Sequence, residues 1–292
     1  MFERTRYTVP LPSGRAMVLG ERTLVMGILN ITPDSFSDGG LHLDVDHAVH
    51  AGLQLVEDGA DILDIGGEST RPGAQAVGER EEMRRVLPVV EKLAGRTAAL
   101  ISIDTYKSRV AREALARGAV IINDISGLQY DPALARVAAE TQAAMVLMHT
   151  RGHSREMYER AVYDNVITEV CSELEDAMQR AIDGGVLREA IVLDPGFGFA
   201  KRPEHSYALL AGLGELAALG RPILSGPSRK SFLKDALGER EPAGREWGTA
   251  AGVAASVLLG AHIVRVHNVK AMTDVVRVAD RLRRARFIET GA

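Results

Sequence analysis

From Leu24 onward the chain alternates short apolar runs with longer stretches in which apolar residues recur every three or four positions. The runs are Leu24–Leu29, Ile62–Ile65, Ala99–Ile103, Val120–Ile122, Ala144–Met148, Ala190–Leu193, Pro222–Leu224 and Ile263–Val266. Most are apolar throughout rather than at alternate positions, the pattern of parallel strands covered on both faces. The intervening stretches read as amphipathic helices. In one, Val45, Ala48, Val49, Gly52, Leu53 and Val56 share a helical face, with Asp44 placed to cap its start. Gly59-Ala60, Gly118-Ala119 and Gly260-Ala261 each close a helix and open the next strand. Glycine suits the left-handed residue that ends a helix, and a small residue lets the chain turn back closely onto a sheet.

Eight strand–helix units without a linker predict an α/β protein of one domain over residues 1–292, a single (β/α)8 TIM barrel. Within it we assign residues 1–23 to an N-terminal β-hairpin, 24–285 to the barrel and 286–292 to a tail. Tyr7-Thr8-Val9 and Ala16-Met17-Val18-Leu19 flank Pro-Leu-Pro-Ser-Gly, so the hairpin is expected to cap the N-terminal end of the barrel. The competing architecture is a doubly wound open sheet. It needs a reversal of strand order that sequence does not reveal, and no GxGxxG follows the first run.

Composition narrows the function classes. Hydrophobic residues make up 46% of the 292 and charged residues 25%, enough apolar material for one large core. A net charge of -4 and a pI near 6.1 argue against holding nucleic acid by bulk charge, although a local basic site is allowed. The single cysteine, Cys171, excludes an internal disulfide framework and reads as a small apolar residue on a buried helix face. No run approaches the ~20 apolar residues of a membrane span, and Met1 to Arg6 has no signal-like apolar core, so a cytoplasmic location is expected.

Catalysis in such a barrel takes place at the C-terminal ends of its strands. The residues following the apolar runs are polar every time: Asn30, Asp34 and Asp38; Gly66 to Gly73; Asp104; Asn123-Asp124; His149; Asp194 to Phe199; Ser225 to Ser231; and Arg265 with His267. A lone aspartate after a strand is commonly a helix cap, but caps do not call for Asn, Lys, Arg and His at neighbouring strand ends. Arg265 and His267, two apart and so on one face, with Asn30 beside them once the barrel closes, suit a phosphate or pyrophosphate. Asp104, Asn123, Asp194 and Lys230 offer two carboxylates, an amide and an ammonium, a set that suits a flat heterocycle with donor and acceptor edges. His149 reads as structural. Lys230 could alternatively be a Schiff-base lysine, although it follows an open Ser-Arg turn. His42, His47 and His50 read as a solvated helix face rather than ligands, so any metal is expected to be a hard ion such as Mg²⁺, held mainly by substrate phosphates. The glycine-rich segments after the second and sixth runs are long for strand-to-helix connections of about 2–6 residues and read as plain surface loops or as mobile covers for a ligand, and the glycine-bearing loops 30–40 and 66–78 are expected at the mouth.

These residues resemble a known family. Met26-Gly-Ile-Leu-Asn30-Ile-Thr-Pro-Asp34-Ser-Phe36-Ser-Asp38-Gly-Gly40 is similar to the first signature of the dihydropteroate synthases, and Asp64-Ile-Gly-Gly-Glu68-Ser-Thr70-Arg71-Pro72-Gly73 to the second. Ile-Asp104-Thr, Ile-Asn123-Asp-Ile, Met148-His149, Asp194-Pro-Gly-Phe-Gly-Phe199, Ser228-Arg-Lys230 and Arg265-Val-His267 follow in the family's order, from about Leu24 to about Lys270. The resemblance implies a transferase of folate biosynthesis. It would join a 6-hydroxymethyl-7,8-dihydropterin pyrophosphate to p-aminobenzoate, and sulfonamides would mimic the second substrate. It implies Asp104, Asn123, Asp194 and Lys230 on the pterin, with Thr70 at its edge. Asn30, Arg265 and His267 would hold the pyrophosphate, with Asn30 also a ligand to Mg²⁺. Phe36, Arg71, Pro72, Phe199 and Ser231 would shape the aminobenzoate pocket. Asn30, Asp38, Arg71, Lys230, Arg265 and His267 would form the catalytic set, and the family is commonly homodimeric. Two positions depart from the pattern: Pro227 before Ser228-Arg229-Lys230, and Asn268 after His267. Two rival readings share the barrel: a pterin-binding methyltransferase domain, which needs neither the two long loops nor Arg-Val-His, and a non-catalytic paralogue, in which losses among the named residues are expected.

Overall fold

The computed structural model describes residues 4–31, 40–69, 76–153 and 157–285, with residues 40–44 as backbone only. An antiparallel hairpin, β1 (Tyr7–Pro10) and β2 (Ala16–Leu19), precedes eight parallel strands. These are β3 (Leu24–Asn30), β4 (Ile62–Gly66), β5 (Leu100–Asp104), β6 (Ile121–Asp124), β7 (Ala144–Met148), β8 (Ile191–Asp194), β9 (Leu224–Ser225) and β10 (Ile263–Val266). The helices between and after them are α1 (Gly40–Glu57), α2 (Glu79–Ala94), α3 (Ser108–Leu115), α4 (Ala133–Thr141), α5 (Val166–Asp183), α6 (Pro203–Ala211), α7 (Lys234–Leu237), α8 (Glu246–Leu258) and α9 (Val269–Ala285).

The hydrogen-bonded order runs β8-β7-β6-β5-β4-β3-β10-β9, and a parallel bridge from Leu193 to Ile223 joins the two edges into a barrel. That last seam is thin. β9 is two residues long, because Pro222 offers no N–H and Gly226-Pro227 follows, so the closing hydrogen bond runs from Leu193 N to Pro222 O at 2.9 Å. Five strands reach further than their apolar runs and take in the residues beyond: Asn30, Gly66, Asp104, Asn123 with Asp124, and Asp194. Backbone pairing is indifferent to side-chain polarity, so these residues sit on the rigid ladder, where the pleat fixes their direction.

Two cores result. One lies between strands and helices, and the other fills the barrel bore with Met26, Ile62, Ile121, Val146, Val192 and Leu224. Val9, Leu11, Met17 and Leu19 of the hairpin belong to the inner core, so the hairpin plugs the N-terminal end as expected. Below the plug, Arg4 donates to Asp280 Oδ1 (2.7 Å) and Thr23 Oγ1 (2.7 Å), both buried. Gly59, Gly118 and Gly260 adopt φ of 110°, 109° and 106°, and the N–H of the alanine after each reaches back five residues to the helix, Ala60 to Leu55, Ala119 to Ala114 and Ala261 to Ser256. Gln142 does the same at φ 55° without being glycine.

Asp44 is not a helix cap: α1 already begins at Gly40. The apolar stripe fixes a helix's buried face but not its first residue, since added turns need only unstrained backbone. His47 and His50 are exposed as expected; the side chain of His42 lies outside the described residues. Cys171 is half-buried against the outer core on α5.

Candidate active site

The C-terminal strand ends enclose a cavity of about 410 Å³. Asn30, Asp104, Phe199, Lys230, Ser231, Arg265 and His267 all line it, so residues read from five separate segments of sequence meet there. Asn30, Gly66 and Asp104 are paired in register across β3, β4 and β5. Gly66 lies between the other two, its Cβ position 3.5 Å from Asp104 Oδ2 and 3.6 Å from Asn30 Oδ1. Phe36, Asp38, Thr70, Arg71 and Pro72 lie outside the described residues, as do parts of the loops 30–40 and 66–78.

Beneath the cavity lies a charged network that the sequence reading only partly anticipates. Arg265 donates from Nε to Asp64 Oδ2 (2.6 Å) and from Nη2 to Asp104 Oδ2 (2.7 Å). Asn123 Nδ2 donates to the same Asp64 oxygen at 2.9 Å. Asp64, fully buried and quoted above only as part of a motif, is thus the joint between Asn123 and Arg265. Its signal was visible: an aspartate interrupts the apolar run Ile62–Ile65. The other oxygen, Asp64 Oδ1, is buried with no hydrogen-bond partner among the described residues, as is Ser102 Oγ on the paired residue of β5. Arg265 therefore has two donors committed to carboxylates while its side chain still borders the cavity.

Burial raises the Asp104 carboxyl to about 7 against the pull of Arg265, because a carboxylate under a barrel mouth loses its water. Burial also raises Asp194, whose Oδ1 accepts from Gly196 N at 2.8 Å. Its Oδ2 lies beside Gly226, close to Arg265. Lys230 is lowered to about 8 by burial and by Arg265, and its Nζ sits 4.0 Å from the centre of the Phe199 ring. An ammonium held there is neither deep in a strand nor free of counter-charges, unlike a Schiff-base lysine.

At the other side of the mouth, Ser228 Oγ pairs with His267 Nδ1 at 2.9 Å and accepts from His267 N at 3.2 Å. Lys230 is presented by a turn in which Arg229 takes φ 58°, its N–H donates to Thr249 Oγ1 (3.0 Å) and its Nε to Glu246 (2.6 Å). Pro227 packs against Gly252 of α8, where a Cβ would come within 3.1 Å of the ring. The departure at Pro227 thus stiffens the start of this turn. Asp124 is a turn residue, accepting from Ser126 N (2.8 Å) and Leu128 N (2.6 Å). His149 is structural as expected: Nε2 pairs with Glu173 at 3.0 Å and Nδ1 with Lys201 at 2.7 Å. Sequence reasoning did not single out Ser228, Met157, Tyr158 or Lys201; the first three border or brace the cavity from loops where no periodicity marks them.

The arrangement offers carboxylates and an amide at its floor, cations above them, and an aromatic wall at one side. Comparisons with known proteins fit that chemistry. The family described as pterin binding enzyme matches residues 26–267. A dihydropteroate synthase of Synechocystis sp. is 46% identical over 274 residues, 94% of this chain and 95% of that protein. A Xanthomonas albilineans dihydropteroate synthase solved with 4-aminobenzoic acid shares 42% identity at a TM-score of 0.86, covering 94% of this chain and 99% of that one. The same organism's enzyme in complex with 7,8-dihydropteroate matches at 40% identity, a TM-score of 0.83 and the same coverage of 94% and 99%.

Proposed function

The chain belongs to the pterin-binding enzyme family, and on that premise we infer that it is a dihydropteroate synthase. It is a transferase of folate synthesis that joins a dihydropterin pyrophosphate to p-aminobenzoate and releases pyrophosphate. The observation that carries the reading is the joining of two recognition chemistries in one cavity. Asp104 lines the cavity above the buried Asp64–Asn123 pair and offers a carboxylate to a ring, while Arg265, His267 and Asn30 stand where an anion would lie. Neither rival reading needs both ends.

In the mechanism we propose, Asp104, Asn123, Asp194 and Lys230 hold the pterin ring and the cations meet its pyrophosphate. The bond from the pterin methylene to the pyrophosphate oxygen breaks, and the oxygen keeps the electron pair. The positive charge left on the ring system is stabilised by the buried carboxylates, and the developing anion by Arg265 and His267. The aniline nitrogen of aminobenzoate, placed between Phe199 and Ser231, then attacks the methylene carbon and loses a proton to solvent. No strong general base is needed. As in the family resemblance, Thr70 remains assigned to the pterin edge, Phe36, Arg71 and Pro72 to the aminobenzoate pocket, and Asp38 with Arg71 to the catalytic set.

Mg²⁺ belongs to this proposal. Among the described residues no group of three or more His, Cys, Asp or Glu could cage a metal, and the cavity is rich in cations. That donor set fits an ion that arrives with the pyrophosphate and takes one protein oxygen, from Asn30. When bound, the metal would neutralise charge on the leaving group. We further propose a homodimer, supported by exposed Trp247 on α8 and exposed Val278 and Leu282 on α9, which packs against it. A cytoplasmic location is supported by the unpaired cysteine; no helix among the described residues is long and apolar enough to cross a membrane.

Incubating the purified chain with the two substrates and Mg²⁺ tests the reading. Dihydropteroate and pyrophosphate are expected in equal amounts, and pyrophosphate release that ignores aminobenzoate would overturn it.

A further inference from the structure

Lys201 has no part in the chemistry above, yet its side chain is one of the largest fully buried ones, at 1% exposure. Its Nζ lies 2.7 Å from His149 Nδ1, 3.1 Å from Gly196 O and 3.0 Å from Phe199 O. With His149 O at 3.5 Å, these partners are three carbonyls and an imidazole nitrogen rather than a carboxylate. Burial lowers the amine to about 7, so the fold holds a group whose charged form it disfavours. A lysine that only filled space would be replaced at no loss by an apolar side chain.

The two nearest carbonyls it gathers belong to one loop. Pro195 to Ala200 passes through three left-handed residues, Gly196 (φ 70°), Gly198 (φ 76°) and Ala200 (φ 48°), the last without glycine's freedom. The loop is tied down from behind: Tyr163 donates to Ala200 O (2.9 Å), and Ser206 Oγ accepts from Gly198 N (3.2 Å). Its front is Phe199, whose ring lies against Lys230 on the cavity wall. His149 supports the pin. With Nε2–H donated to Glu173, its Nδ1 lone pair is left for Lys201, and burial keeps the imidazole neutral by lowering it to about 4.

We propose that Lys201 is a positioning residue for the aminobenzoate half-site: by pinning the Gly196 and Phe199 carbonyls it fixes the Phe199 ring. The proposal rests on the dihydropteroate synthase reading for the name of that half-site, but the pinning itself does not.

Lys201→Met keeps the length and removes the donors. The expected result is a rise of about tenfold in KM for aminobenzoate, with kcat and KM for the pterin pyrophosphate within about twofold of wild type. Amide exchange over residues 195–201 should quicken about tenfold in the same variant. Equal rises in both KM values, an unmoved aminobenzoate KM, or unchanged exchange would each overturn the proposal. If Lys201→Met does not fold, Tyr163→Phe removes a milder tie from the same loop. There, a two- to threefold rise in aminobenzoate KM is expected, roughly, and none overturns the idea. A wild-type chain that makes no dihydropteroate would instead sink the functional reading, and the exchange measurement would still judge the pin.

Discussion

At the scale of single residues, Arg265 carries the most. It ties Asp64 and Asp104 together and also borders the cavity, so its loss would leave two buried carboxylates facing each other and remove a cation from the anion side. Losing a charged partner of an ion commonly costs about 1.5–3 kcal/mol, so Arg265→Ala is expected to lower kcat/KM for the pterin pyrophosphate roughly ten- to hundredfold. Steady-state kinetics within about twofold of wild type would remove Arg265 from the mechanism. The residue was legible in sequence because an arginine stands inside an apolar strand. What it grips was not, because Asp64 is 201 positions away and only barrel closure brings them together.

Among the elements, the helix exits separate two effects that usually travel together. Gly118 and Gly260 have nearly the same φ, 109° and 106°, but a Cβ at Gly118 would stand 2.5 Å from Ala94 Cβ, while one at Gly260 meets nothing within 4 Å. Gly260→Ala should therefore cost backbone strain alone, about 1–2 kcal/mol. Gly118→Ala adds overpacking of about 1–3 kcal/mol against α2. Urea unfolding of both variants checks this: equal losses would show that space at Gly118 does not matter. The strand and helix units were legible because period and punctuation repeat through the chain. The start of α1 and the short β9 were not, since one is set by backbone continuation and the other by a proline in its ladder.

Across the whole molecule, buried titratable groups set the response to pH. His149 and His262 are both lowered to about 4, mainly by burial, the latter held between Thr5 O (3.0 Å) and Ile223 N (3.1 Å). Between pH about 6.5 and 4 the unfolded chain binds protons that the folded chain refuses, so these two groups withdraw stability as pH falls through that window. Asp104, raised to about 7, acts oppositely: it takes up its proton more readily when folded, and adds stability as pH falls from about 7 towards 4. Asp194, Asp124 and Glu82, also raised by burial, act with Asp104, and His262→Gln, which removes one opposing group, should lift the acid side of a urea-midpoint profile relative to wild type. An unchanged slope would show that the imidazole titrates normally. Lys201, lowered to about 7, makes stability rise with pH above neutrality until the unfolded amine also loses its proton.

The hairpin plug also turns the barrel into a cul-de-sac. With Val9, Leu11, Met17 and Leu19 filling the far end, traffic has one doorway, and whatever arrives first at the buried floor of Asp104 and Asp194 must wait for later arrivals to leave. On the proposed assignments, a pterin seated there would be queued behind any aminobenzoate at the shallower, exposed Ser231. Its escape should slow as aminobenzoate or a sulfonamide is added, by about tenfold or more near saturation, without any new contact to the pterin itself. Stopped-flow displacement of a fluorescent pterin measures this directly, and an escape rate indifferent to the second ligand would mean that the molecule has another way out.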